Sequence, residues 1–239
     1  MSDTLNLVER PDGTIVNESN GDPAVKRVQG YRRFWISADL GQANDFTAVT
    51  VIEDEQLPVL NDGIIELGPR ELTVVHADKF RGVSYVAVCD FLARMLNAQP
   101  FRGKAQLVID GSSIGRVCSD VLTSENVPHI AIQMTGGTDW SRKGKYTNAS
   151  KTLIIENTAV LFASGDLMFA DNLPLRSEIE SDLASFTITT TSAGNQIIAQ
   201  TRSSATGHGD LGVSLCLGAF AAQYLKPQLT AQGKLTGWY

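Results

Sequence analysis

Phe34-Trp-Ile-Ser-Ala-Asp-Leu-Gly-Gln-Ala-Asn-Asp-Phe-Thr-Ala-Val-Thr-Val-Ile-Glu53 holds two apolar, β-rich runs separated by a short polar turn. The first, residues 34–40, carries Asp39 near its end and is stopped by Gly41; the second, residues 46–53, is dense in Thr, Val and Ile. β-Branched and aromatic residues bounded by Gly, Asn and Asp predict strands. A turn this short predicts that they pair antiparallel. A loop rich in Pro, Asn, Asp and Gly follows, and residues 71–78 then predict a third strand, completing a three-stranded meander.

Downstream the period changes. Within residues 84–97, Val88, Phe91, Leu92 and Met95 mark one helical face. Residues 106–110 (Gln-Leu-Val-Ile-Asp) predict a buried strand, 114–124 a helix and 128–133 another short strand. Meander, helix, strand, helix, strand predicts a mixed α/β sheet, antiparallel then parallel, flanked by helices. Residues 136–150 read as a polar loop with Arg142, Lys143 and Lys145, and 151–162 and 175–185 as helices. Residues 187–191 and 196–201 alternate around Ser-Ala-Gly-Asn, the pattern of an added β-hairpin, and 210–224 closes the domain with an apolar Ala/Leu/Gly helix. Residues 1–30 lack hydrophobic periodicity and read as a flexible leader; 31–226 form one domain and 227–239 a C-terminal tail.

A chain of 239 residues buries an adequate core without disulfides. With 43% hydrophobic and 19% charged residues it has a globular rather than a disordered balance. No apolar stretch approaches the roughly 20 residues of a membrane helix, and no signal peptide opens the chain, so the reading is a soluble, cytoplasmic protein. Cys89, Cys118 and Cys216 each sit in an apolar run and read as small buried hydrophobes. The net charge of −6 argues against a generally basic, nucleic-acid-binding surface, so any such surface is local.

Three aspartates stand at the ends of buried elements: Asp39 closes the first strand, Asp110 closes the central strand, and Asp210 starts the last helix. Singly, each has a structural explanation, as a strand stop or as an anion in a helix's first turn. Together they have another. In a meander-first fold the first strand and the strand after the first helix lie side by side, and a final helix can bring a third carboxylate to the same edge. Carboxylates that close repel unless cations sit between them. An all-oxygen set suits Mg²⁺ or Mn²⁺. Two such ions about 4 Å apart support phosphodiester hydrolysis without a nucleophilic side chain.

Four segments together resemble the nuclease domain of the viral (bacteriophage or prophage) terminase large subunit, of the ribonuclease-H-like superfamily. Ser37-Ala-Asp-Leu-Gly-Gln-Ala-Asn-Asp-Phe-Thr-Ala is similar to that family's first motif, and Leu107-Val-Ile-Asp-Gly-Ser-Ser-Ile-Gly to its second. Lys151 opens a helix followed by Gly165-Asp-Leu and Leu173-Pro, and His208-Gly-Asp-Leu-Gly-Val-Ser-Leu-Cys-Leu-Gly-Ala resembles the third motif, after a hairpin. Order and spacing agree from about residue 31 to residue 224.

The resemblance implies a metal-dependent endodeoxyribonuclease of the two-ion type, cutting concatemeric DNA during packaging. Asp39, Asp110 and Asp210 would be catalytic and hold the metal. Asp45 would be a further carboxylate, or else a turn residue. His208 would position a phosphate or an aspartate, or else cap the helix. Lys151 would meet the scissile phosphate, or else be a solvated helix-start lysine. Arg142, Lys143 and Lys145 would track the DNA backbone, or else solvate a loop. Implied partners are double-stranded DNA, a packaging ATPase, the small terminase subunit and the portal protein.

Two departures bear on this. Gly209 stands where family members often carry an acidic residue, which weakens the second ion's site. No Gly-x-x-x-x-Gly-Lys-Ser/Thr loop occurs in the chain, which therefore reads as a nuclease domain detached from its motor or as a separately encoded subunit. A resolvase or transposase core shares the carboxylate chemistry. A docking module that has lost the metal is the non-enzymatic alternative. Asp39-Leu-Gly also resembles the first phosphate loop of actin-like ATPases, but those need two copies of the fold.

Overall fold

Gln29–Asp39 (β3) is buried without a break from Phe34 to Ala38, the signature of a strand covered on both faces. The computed structural model describes residues 5–18, 28–41, 45–112, 114–190, 196–200 and 209–226. On one side β3 pairs antiparallel with Thr47–Asn61 (β4), which pairs antiparallel with Ile64–Phe80 (β5). On the other it pairs parallel with Ala105–Asp110 (β6), which pairs parallel with His129–Thr135 (β7). The helices Tyr85–Asn97 (α1) and Ile114–Ser124 (α2) make the crossovers. The predicted meander and parallel strands are therefore present in the predicted order.

The meander strands run well past their expected ends. The stretch between residues 53 and 71, read as a loop, is the outer half of the β4–β5 hairpin. Its turn is Asp62-Gly63, with φ of 49° and 79°. Positive φ at both central residues suits the twist of paired strands, and Asp-Gly is a strong sequence signal for it. Pro58 lies where the ladder shifts register, which accommodates its missing N–H. The leader reading is corrected in part. Leu7–Glu9 (β1) and Thr14–Asn17 (β2) form a hairpin over Gly13 (φ 82°), and β2 pairs with the start of β3, burying Ile15 and Val16. Residues 227–239, read as a tail, lie outside the described residues.

The polar loop at 136–150 is also corrected. Trp140–Lys143 (β8) and Tyr146–Ser150 (β9) form a hairpin at Gly144, and β9 pairs parallel with β7. Lys151–Ser164 (α3), Leu167–Phe169 (β10), Arg176–Ala184 (α4) and the hairpin Phe186–Thr190 (β11) with Gln196–Gln200 (β12) lead to Asp210–Tyr224 (α5). The main sheet runs β10-β5-β4-β3-β6-β7-β9-β8. None of the described helices is long and apolar enough to cross a membrane.

Two cores flank the sheet. Ile36, Ala38, Leu107 and Ile109 pack with α1 and α2 on one face, with Cys89 and Cys118 among them. Trp35, Val108 and Ile132 pack with α5 on the other, with Cys216. All three thiols are free and buried. Helix α5 is buried continuously from Asp210 to Ala222, so it is apolar all round rather than amphipathic. It lies close on β3: a Cβ at Gly218 would stand 2.6 Å from Ser37 Oγ. Buried hydroxyls pin the contact, with Ser214 Oγ donating to Ser37 O at 2.8 Å and Thr50 Oγ1 within 3.0 Å of Ser214 Oγ.

Candidate metal centre

Register sets the first two carboxylates side by side. Ala38 pairs with Ile109 in the parallel β3–β6 ladder, so Asp39 and Asp110 follow at neighbouring strand ends. Such strands lie about 4.8 Å apart. Alternation puts Asp39 on the face of Trp35 and Ser37 and Asp110 on that of Val108, the face covered by α5. Asp210 is the first residue of α5 and is 7% exposed. Asp39 keeps some exposed surface as a residue, but protein surrounds its carboxyl. Burial first, then the charges of Asp110 and Asp210, push that carboxyl well above the usual range; the Leu40 amide and the Lys151 charge act the other way. Asp110, Asp210 and Lys151 are thus each within electrostatic reach of Asp39.

Tight backbone turns hold these strand ends. A Cβ at Gly41 would collide with Phe46 O at 2.2 Å, and one at Gly115 with Asp110 O at 1.6 Å. Asp110 Oδ1 accepts from the Ser112 amide at 2.9 Å. Its carboxyl is raised by burial and drawn back by Ser112. Among the described residues no three acidic, His or Cys side chains already stand in an ion-enclosing arrangement. The donor set nonetheless fits a hard divalent cation: it is all oxygen, anionic, and unfavourable without positive charge between its members.

Lys151 begins α3, whose cap Ser150 accepts from the Leu153 amide at 3.4 Å and donates to Gly137 O at 2.5 Å. Its Nζ lies 5.9 Å from the centre of the Phe186 ring, so the β11–β12 hairpin begins beside the site. The other expected residues are distributed differently. Asp45 is exposed on the loop into β4 and is not among the main charges acting on Asp39. His208 lies outside the described residues. Arg142 and Lys143 are exposed on the edge strand β8, and Lys145 Nζ pairs with Asp120 Oδ1 of α2 at 2.5 Å, on the opposite face of the sheet from α5. Lys145 is thus turned to the opposite face, whereas Arg142 shares the face of Asp110 by register, three strands away.

Two residues went unnoticed in the sequence. Asp39 pairs with Ala48, and Ala48 with Lys79, so Lys79 shares the carboxylate face two strands away. Its side chain is 7% exposed, 4.6 Å from the Phe46 ring centre and 4.0 Å from Glu178 Oε2. It lies one residue beyond the expected end of the third strand. Asp182 of α4 is 6% exposed, and its Oδ2 accepts from the amides of Leu211 and Gly212 at 3.1 and 3.2 Å. Nothing local in the sequence marks it, because its partners lie 29 and 30 residues away. Gly209 has φ of 75°, a conformation that L side chains rarely adopt, so the glycine answers a backbone demand.

Solved structures share this arrangement of strands and helices. The large terminase nuclease from thermophilic phage G20c, solved with bound magnesium, superposes with a TM-score of 0.53 at 19% identity, covering 88% of each chain. The fold is that of the large-terminase nuclease domains. The Thermus phage P74-26 nuclease domain gives a TM-score of 0.52 at 19% identity over 80% of each chain. A mutant nuclease domain of the large terminase subunit of bacterial virus Sf6, solved with manganese and beta-thujaplicinol, gives 0.51 at 8% identity, over 78% of this chain and 87% of that one. No protein-family profile and no curated protein sequence matches the chain. At these identities the likeness is one of fold.

Proposed function

We propose that the chain is a metal-dependent DNA endonuclease that cuts concatemeric viral DNA during genome packaging, in the cytoplasm of the host cell. What supports this reading is that Asp39 and Asp110 end neighbouring strands on the face that α5 covers, and that Asp110, Asp210 and Lys151 are the charges acting on Asp39, in a fold shared with terminase nucleases. The three carboxylates would hold two Mg²⁺ or Mn²⁺ ions, the second more weakly because Gly209 offers no ligand. Ions bound there supply activation of the attacking water and neutralise charge on the leaving oxygen.

The chain's own residues do the rest. Asp39 and Asp110, fixed by adjacent strands, set the geometry into which the phosphate must fit. Lys151 would place a positive charge against the scissile phosphate, and Lys79 extends positive charge along the same face. Asp45 and His208 are accessory, and Arg142 and Lys143 would meet the duplex backbone away from the cut, where contacts need charge rather than sequence; Lys145 reaches it on release from Asp120. A packaging ATPase, the small terminase subunit and the portal would deliver the DNA. Supercoiled-plasmid cleavage with Mn²⁺, Mg²⁺ or EDTA tests the proposal. The native chain should nick and linearise with metal only, and Asp110→Asn should not. Cleavage in EDTA, or full activity of the variant, would refute it.

A further inference from the structure

Helix α5 starts without a side-chain cap of its own, because its cap residue is Gly209 in the left-handed conformation. Its first amides are buried, and buried N–H groups must find acceptors. Val213 N reaches Gly209 O at 3.0 Å, the first bond of the helix. Leu211 and Gly212 instead donate to Asp182 Oδ2, a carboxylate supplied by α4. The approach is close: a Cβ at Gly212 would stand 2.9 Å from Asp182 Cβ. Glycine inside a helix is otherwise unfavourable, so Gly212 is the small residue that lets the carboxylate in.

Asp182 does not belong to the metal-facing group. The charges that act on its carboxyl are those of Lys79 and Glu178, whereas those acting on Asp39 are Asp110, Asp210 and Lys151. It grips the same helix turn through the backbone, one and two residues beyond Asp210. Lys79, which shares the carboxylate face of the sheet, supplies the positive charge that steadies it.

We propose that Asp182 is the positioning residue for Asp210. By holding the amides of Leu211 and Gly212, it fixes the first turn of α5 and so the direction in which Asp210 presents its carboxylate to Asp39 and Asp110. The inference rests on reading those three aspartates as a cation site. It predicts that cation affinity is set partly from outside the ligand set, as supporting residues do at metal centres.

The test is Mn²⁺ titration calorimetry on the full chain, with folding of each variant checked by circular dichroism. The native chain binds. Asp182→Ala weakens binding about 10- to 100-fold, and Asp182→Asn, which keeps an oxygen acceptor for the amides, recovers most of it. Gly212→Ala, which keeps the carboxylate but fills the gap it needs, weakens binding as well and decides the matter alone if Asp182→Ala does not fold. A cap with only a structural role would lower the unfolding temperature and leave the affinity of the folded variants unchanged; that result overturns the proposal while the cation site stands. Absence of binding by the native chain overturns the site and this inference together.

Discussion

Asp54 is the most heavily bonded carboxylate among the described residues, and its removal tests how the sheet holds α5. Its side chain is wholly buried and accepts from Arg33 Nε at 2.7 Å, Trp35 Nε1 at 3.0 Å, Arg70 Nε at 2.8 Å, Arg70 Nη2 at 2.9 Å and Tyr31 Oη at 3.2 Å. Arg70 Nη2 also donates to Ala222 O at 2.7 Å, tying this cluster to the far end of the helix that carries Asp210. Removing one partner of a buried pair costs about 3–5 kcal/mol. The side chains of Arg33 and Arg70 are 21% and 29% exposed, so water relieves part of their loss, and the lower end of the range applies.

At about 2–4 °C per kcal/mol for a chain of this size, Asp54→Ala should lower Tm by roughly 6–12 °C. The pH dependence has a definite sign. Burial raises the Asp54 carboxyl, but the Arg70 hydrogen bonds and the charges of Arg33 and Arg70 outweigh it, so the folded value lies below the usual carboxylate range. A depressed folded value means stability that is present above the unfolded value, about 3.9, and is lost as pH falls through the folded one. The Tm gap between native and Asp54→Asn, followed by circular dichroism, should hold from about pH 7 to 5 and close below about pH 4. A gap that widens on acidification, or an Asp54→Ala shift under about 2 °C, would refute the reasoning.

Three further outcomes are expected. Asp39→Asn should raise Tm in EDTA, by about 2–4 °C for each kcal/mol of repulsion relieved, while abolishing plasmid cleavage. Lys151→Met should slow cleavage roughly 10²-fold, the scale for losing one charge-stabilising donor, yet tighten Mn²⁺ binding in calorimetry, because it removes a positive charge near Asp39. Gly209→Asp should cost about 1–2 kcal/mol in urea unfolding, because φ there is 75°.

The architecture was largely legible in the sequence because its central elements carry strong periodic signals. β3 and β6 are short apolar runs ended by Asp39 and Asp110, and α5 is an unbroken apolar segment opened by Asp210. The misreadings share a cause. The ribbon between residues 54 and 71 is half exposed, so its polar composition resembles a loop, although Asp62-Gly63 marks the turn. β1, β2 and β8 are three or four residues long, too short for periodicity to register, and owe their conformation to the neighbours they pair with. Lys79 and Asp182 act through partners set by register and helix packing, which a single sequence does not display. The same limit applies to Lys145, whose ion pair with Asp120 crosses from β-hairpin to helix.

If Asp39, Asp110 and Asp210 form a divalent-cation site, anomalous diffraction from crystals soaked in Mn²⁺ should show a peak among these carboxylates and a weaker second one about 4 Å away, both lost in Asp110→Asn. Peaks only elsewhere, or none at saturating Mn²⁺, would contradict it.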